Sequence, residues 1–107
     1  MKVGIEQIDQ VAVITLSGRL DMKTSPDLRK AALTLYTKGE CRNLTIDFAD
    51  VSYIDTSGLA TLLEILLTAK ERCAQLTLCD LSAEVRYLID VNGLTGFFRI
   101  ESTERSS

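Results

Sequence analysis

The sequence has no histidine and no tryptophan, and only 6% of its 107 residues are aromatic. The absence of histidine removes the commonest general base, the usual zinc ligand and every Ser-His-Asp or Cys-His pair. The scarcity of aromatic rings disfavours a surface that stacks single-stranded nucleic-acid bases. We therefore predict that the chain is not an enzyme, has no catalytic residue, holds no metal and needs no cofactor.

Basic charge and cysteine pairing are also lacking. The net charge is −3 with a pI near 4.9, so no basic field attracts nucleic acid or anionic lipid. The three cysteines Cys41, Cys73 and Cys79 are odd in number and have no C-x-x-C spacing, so we expect reduced thiols. The longest apolar stretch, Leu59 to Leu67, is interrupted and too short to span a bilayer. We expect a cytoplasmic chain with no membrane insertion and no nucleic-acid partner.

The hydrophobic pattern alternates between strand-like and helix-like segments in the order β-β-α-β-α-β-α-β. This order predicts an α/β fold: a single domain with a mixed, mostly parallel sheet of about five strands and helices packed on the sheet. We expect one domain over residues 1–107, with a core over 3–101 and a polar tail over 102–107. The predicted strands are Val3 to Ile8, Val11 to Leu16, Leu44 to Phe48, Leu76 to Cys79 and Phe97 to Ile100.

Capping residues mark the ends of the predicted helices. Ser25 is the predicted N-cap of the first helix, which Gly39 ends. The second helix follows a predicted loop from Ala49 to Asp55 and is apolar over most of its circumference, so it packs against the sheet. Ser82 is the predicted N-cap of a third, shorter helix.

The segment Asp50 to Leu59 places two hydroxyls and a glycine at the start of the most apolar helix. The first backbone N–H groups of a helix lack partners and favour negative charge. Two interpretations remain open. Asp55, Thr56 or Ser57 is a plain N-cap, or a hydroxyl is presented to solvent and phosphorylated. The segment is neither a P-loop nor a nucleophile elbow, because it has one glycine, no lysine and no histidine to activate a serine.

Carboxylates offer one enzymatic alternative. Asp47 and Asp50 flank the predicted loop, and Asp55 lies close to them in sequence, so a pair of them could act as general acid and base. Local hydrogen bonds explain the same residues more simply, and for Asp47 we expect such a bond.

The stretch from Ile46 to Leu59, with its core Asp-Thr-Ser-Gly-Leu, resembles the signature of the STAS family, the anti-sigma-factor antagonists. Val13 to Asp21 resembles the second strand of that family and the loop after it. Gly93 to Ile100 resembles the last helix–strand junction. The similar region covers residues 3–101. One departure is the segment from Glu101 to Ser107, which has no apolar residue, whereas family members often end in a further helix.

The resemblance implies partner switching in bacterial transcription regulation. Such a domain binds a serine-kinase anti-sigma factor and so releases a sigma factor. The kinase then uses its own bound ATP to phosphorylate the domain, and a protein phosphatase resets the switch. By position, the implied phosphorylation site is Ser57, with Thr56 as the alternate acceptor.

The implied partner-binding residues are Asp21, Asp55, Thr56, Ser57, Gly58 and Leu59. In this interpretation Asp21 shapes the docking face and Asp55 holds the turn. Asp21 as a loop carboxylate without such a role remains an alternative. The family resemblance also leaves open a constitutive STAS subunit of a lipid-transport ABC complex or of a signalling scaffold.

Overall fold

The strands and helices follow each other in the predicted order. The structure is a computed structural model that describes residues 1–39 and 41–102. The elements are β1 (Lys2–Ile8), β2 (Val11–Leu20), α1 (Ser25–Thr37), β3 (Asn43–Ile54), α2 (Thr56–Glu71), β4 (Gln75–Cys79), α3 (Ala83–Val91), a 3-10 turn (Thr95–Phe97) and β5 (Arg99–Glu101). The predicted α/β class with a five-stranded, mostly parallel sheet is confirmed.

The sheet keeps the strands in sequence order, β1-β2-β3-β4-β5. Strand β1 is antiparallel to β2, and the other neighbouring strands are parallel, because each of those pairs is connected through a helix. A two-residue turn joins β1 to β2, and its first residue, Asp9, has a φ of 55°. The sequence predicted this hairpin.

The core lies on one face of the sheet. Ile14, Ile46 and Leu78 lie side by side on β2, β3 and β4 and are fully buried. In the next row Thr15 is exposed and Asp47 is partly exposed, because successive side chains point to opposite faces of a strand. The buried positions of the three helices belong to the same hydrophobic cluster, so the helices cover that one face.

Helix α1 begins differently from the prediction. The predicted N-cap, Ser25, is wrong: it is the first helical residue, and Thr24 occupies the cap position. The hydroxyl of Thr24 donates to the carbonyl of Arg19 at 2.6 Å, and the buried hydroxyl of Ser25 donates to the carbonyl of Asp21. Both hydroxyls therefore tie the helix start to the end of β2. The predicted end is confirmed, since Gly39 has a φ of 71° just after α1.

Strand β3 is longer than predicted. The predicted loop from Ala49 to Asp55 is wrong, because β3 continues to Ile54 beside β2 through two register shifts, each of which adds one residue to β3. Such bulges interrupt the alternation of buried and exposed side chains by which a strand is identified in a sequence. At the first bulge the carboxylate of Asp47 accepts the N–H of Ala49 at 2.9 Å, and near the second the hydroxyl of Ser52 donates to the carbonyl of Gly18 at 3.3 Å. Asp47 thus makes the expected local hydrogen bond, at a bulge and not at a turn.

The last strand is also displaced from its prediction. Strand β5 covers Arg99–Glu101, whereas Phe97 belongs to the preceding 3-10 turn and is exposed. The predicted cap of α3 is confirmed, because the hydroxyl of Ser82 accepts the N–H of Val85 at 3.2 Å. The predicted polar tail beyond residue 102, and with it the expected absence of a final helix, lies outside the described residues. Within residues 1–39 and 41–102, no helix has the length and apolarity needed to cross a membrane.

Candidate partner-docking site

Asp55 alone separates the end of β3 from the start of α2, and it fixes the turn between them. Its carboxylate accepts the N–H of Gly58 at 3.0 Å, and its carbonyl accepts the N–H of Leu59 at 3.0 Å. Its own N–H donates to the carbonyl of Leu20 at 3.2 Å, which joins the turn to the end of β2. Of the three capping residues considered from sequence, Asp55 is therefore the N-cap.

Gly58 allows the first turn of α2 to lie against β2. A Cβ atom at this position would be 2.8 Å from the Cγ1 of Ile54, 2.8 Å from the carbonyl oxygen of Leu20 and 2.9 Å from the Cγ of Leu20. Gly58 is buried, and Leu59 is only 5% exposed. These two residues form the base of the turn, and their direct contact with a partner stays a prediction.

The two hydroxyl residues of the turn face outward. Thr56 is exposed and Ser57 is partly exposed. Within the described part of the chain, neither hydroxyl is hydrogen-bonded to another residue. Both side chains are therefore accessible to a modifying group, at the helix end where backbone N–H groups favour negative charge.

Asp21 organises the loop between β2 and α1. Its carboxylate accepts the N–H of Lys23 at 3.0 Å and the N–H of Thr24 at 3.2 Å, and it lies 3.7 Å from the Nε of Arg19. Partial burial opposes ionisation of Asp21, but these hydrogen bonds and the charge of Arg19 hold the pKa of the carboxyl below its ordinary value. Asp21 is thus an ionised residue that holds its own loop in shape.

The Asp21 loop, the end of β3 and the N-cap Asp55 border a shallow depression of about 210 Å³. At one side of it the guanidinium of Arg19 stacks on the ring of Tyr53, 4.0 Å from the ring centroid. The side chain of Met22 is 72% exposed. We call the residues Arg19, Met22, Lys23 and Tyr53 the docking rim. The depression is lined by Arg19, Asp21, Met22, Lys23, Tyr53 and Asp55.

The structure brings together most of the site residues that the sequence predicted, and it adds the rim. Asp21 and Asp55 line the same depression, and Thr56 and Ser57 follow Asp55 directly. Sequence reasoning did not select the rim residues as site residues. The signal that could have found Tyr53 is its place two residues before the N-cap Asp55, inside the segment that carries the resemblance.

The arrangement suits binding better than proton transfer. The carboxylates of Asp47 and Asp55 each accept a backbone N–H. Among the described residues, no group of three or more histidine, cysteine or acidic side chains is arranged to hold a metal ion. What the site offers is a fixed turn with two accessible hydroxyls beside an apolar and cationic rim.

Comparison with known proteins identifies the family. A family model described as the STAS domain matches residues 2–107. The chain belongs to the STAS domain family. An anti-sigma-B factor antagonist from Listeria monocytogenes is 32% identical to this STAS domain over 91 residues, which cover 85% of this chain and 79% of that protein.

Two solved structures of the anti-sigma factor antagonist SpoIIAA share the fold. The unphosphorylated form matches with a TM-score of 0.76 and 18% identity, over 97% of this chain and 90% of SpoIIAA. The phosphorylated form, from Bacillus, matches with a TM-score of 0.79 and 20% identity, over 97% and 93% of the two chains. At these identities the comparison establishes the common fold.

Proposed function

We propose that this STAS domain is an anti-sigma-factor antagonist. It binds a serine-kinase anti-sigma factor, which releases a sigma factor, and it loses that partner when Ser57 is phosphorylated. The observation that carries the proposal is the first turn of α2, where Asp55 and Gly58 fix the backbone and the Ser57 hydroxyl is accessible. The names of the relatives, and the existence of SpoIIAA in phosphorylated and unphosphorylated forms, support it.

The docking rim supplies the contacts that a protein partner needs. Met22 and Tyr53 are exposed apolar or aromatic side chains, and the guanidinium of Arg19 lies over the Tyr53 ring. Aromatic residues, methionine and arginine are the types enriched in protein interfaces. The rim adjoins the turn that carries Ser57, so a partner seated on the rim also covers the hydroxyl.

Phosphorylation changes the charge at the centre of this surface. A phosphate on Ser57 adds a charge of about −1.5 to −2. The start of α2 tolerates the phosphate in the free domain, because helix N-termini favour anions. A docked partner has to desolvate the dianion, which costs several kcal/mol when no cation pairs with it. The domain needs no second conformation in this scheme, because the added charge itself is the switch.

The remaining steps follow from the same proposal. The anti-sigma factor binds the ATP and transfers its γ-phosphoryl group to the Ser57 oxygen, while ADP leaves. A protein phosphatase hydrolyses the phosphoserine and restores the hydroxyl. Sigma factors act on RNA polymerase, so the proposal places the chain in the cytoplasm.

Mass spectrometry shows which hydroxyl accepts the phosphate. The chain is first incubated with ATP and with a serine-kinase anti-sigma factor encoded in the same genome. We expect one phosphate on the unsubstituted chain and on Thr56→Ala, and none on Ser57→Ala. Phosphate that persists in Ser57→Ala and disappears in Thr56→Ala would move the acceptor to Thr56. Unmodified Ser57 together with co-purification of a transport ATPase would overturn the proposal in favour of a constitutive subunit.

A further inference from the structure

Strand β1 forms one edge of the sheet, and its outer side has no neighbouring strand among the described residues. A two-residue turn is flanked by a hydrogen-bonded pair, here Ile8 and Val11. Because hydrogen-bonded and non-hydrogen-bonded pairs alternate in an antiparallel ladder, the backbone N–H and C=O groups of Val3 and Ile5 point away from β2. An edge of this kind is a template for a further strand.

The side chains of Val3 and Ile5 lie on the helix-covered face, opposite Leu16 and Ile14 of β2. They border a mainly apolar groove of about 390 Å³ between β1 and α1, whose other side includes Ala31 together with the charged residues Asp27 and Lys30. Ile5 is 49% exposed, so the core is incompletely covered at this edge. The register of β1 against β2 is regular over all seven residues, and β1 contains no proline or bulge that would block a neighbour.

The charges on the other face of β1 are self-complementary. Lys2 and Glu6 are exposed and take no part in the ion pairs found within the described ranges. When two copies of β1 run antiparallel and are centred on Gly4, Lys2 of each copy lies opposite Glu6 of the other. Val3 of each copy then lies opposite Ile5 of the other copy. The outward N–H and C=O groups of these two residues face each other with the spacing for paired hydrogen bonds. If the two strands were centred on Ile5 instead of Gly4, Lys2 and Glu6 would no longer lie opposite each other, and both charge pairs would be lost.

We propose that the edge of β1 binds a second copy of this chain in that antiparallel register. The two sheets of five strands then continue across a two-fold axis at Gly4. Ile5 of each copy covers the groove of the other. The Ser57 turn follows β3, two strands in from the paired edge, so the dimer presents two docking sites for anti-sigma factors.

Sedimentation equilibrium over a range of protein concentrations tests this dimer with a charge swap. We expect a concentration-dependent dimer for the unsubstituted chain. Lys2→Glu and Glu6→Lys should each weaken dimerisation at least about fivefold, because each converts two attractive cross-strand pairs into repulsive ones. The double variant restores opposite charges in both pairs and should dimerise within about twofold of the unsubstituted chain.

Ile5→Pro provides a test that does not depend on charge. Proline removes the outward N–H of Ile5 and leaves the ladder to β2 intact, so we expect a folded monomer. A chain that is monomeric at millimolar concentration would overturn the proposal, as would a dimer that both single charge variants leave unchanged. Failure of the double variant to recover would overturn the register. Capture of a different protein at this edge by a monomeric chain would assign the edge to another occupant.

Discussion

Gly58 on α2 lies so close to Leu20 on β2 that an added Cβ would be 2.8 Å from the Leu20 carbonyl oxygen. Leu20 is directly followed by Asp21 and Met22, and Gly58 is directly preceded by Ser57. The contact therefore holds the loop after β2 and the hydroxyl turn in one fixed arrangement. A rigid surface of this kind needs no rearrangement before a partner binds, which lowers the cost of association.

Substitution of Gly58 by alanine should destabilise the domain. The new methyl group meets a backbone carbonyl and a buried isoleucine side chain, and such overpacking costs about 1–3 kcal/mol. Gly96→Ala is the matched control, because its Cβ would have no neighbour within 4 Å. Urea unfolding followed by circular dichroism measures both variants. Equal midpoints for Gly58→Ala and Gly96→Ala would contradict the packing described for the turn.

The capping role of Asp55 predicts a smaller loss of stability. Asp55→Ala removes the acceptor for the N–H of Gly58 and should cost about 1 kcal/mol, whereas Asp55→Ser retains an acceptor and should cost less. Asp50→Ala is the control, since Asp50 is an exposed carboxylate outside the cap. The free energies of unfolding of the three variants are compared in urea. If Asp50→Ala loses as much free energy of unfolding as Asp55→Ala, the effect comes from removing a negative charge and not from removing the cap.

An ion pair between the two longest helices predicts a dependence on pH. The guanidinium of Arg29 on α1 lies 2.7–2.8 Å from both carboxylate oxygens of Glu64 on α2. The hydrogen bonds from Arg29 hold the pKa of Glu64 below its ordinary value. The pair therefore stabilises the fold fully above the ordinary glutamate pKa, and this contribution is lost as the pH falls through the lowered value. Both side chains are half exposed, which limits the contribution to about 1 kcal/mol.

A double-mutant cycle with Arg29→Met and Glu64→Gln measures the Arg29–Glu64 coupling at two pH values. We expect a coupling below about 1 kcal/mol at neutral pH that disappears in acid. A coupling that persists unchanged below the pKa of Glu64 would show that packing, and not charge, links the two side chains.

The docking rim predicts a loss of partner binding without a loss of stability. Tyr53→Ala removes the ring on which Arg19 lies and should weaken binding to the anti-sigma factor about tenfold or more, since buried tyrosines are common hot spots of interfaces. Tyr87→Ala is the matched control, because Tyr87 is 68% exposed on α3, away from the rim. Surface plasmon resonance compares the two. Equal affinities for both variants would exclude the rim from the interface.

The sequence predicted the order of elements because each buried strand contains a short apolar run and each helix carries its apolar residues at helical spacing. The hairpin, the parallel strands and the Ser82 cap all follow from such local signals. The long end of β3 could not be predicted in the same way. Its two bulges shift the side chains between faces, so the polar residues from Ala49 onward have the composition of a loop although they pair with β2.

Local signals in the sequence also predicted part of the site. The helix start after β3 was visible as a cluster of capping residues, but the choice among them depends on the geometry of the Asp55 carboxylate. The contact between Gly58 and Leu20 joins segments far apart in sequence and brings the loop that carries Met22 to the helix start. Sequence spacing alone carries no information about such a contact.

Isothermal titration calorimetry of the anti-sigma factor with Ser57→Asp and Ser57→Ala tests the central claim most directly. The account predicts that Ser57→Ala binds like the unsubstituted chain, because the small side chain adds no charge to the turn. It predicts that Ser57→Asp binds at least about tenfold more weakly, because a carboxylate must be desolvated at the interface. Thr56→Asp, on the neighbouring exposed residue, should weaken binding less. Equal affinities of Ser57→Asp and Ser57→Ala for the anti-sigma factor would contradict the account.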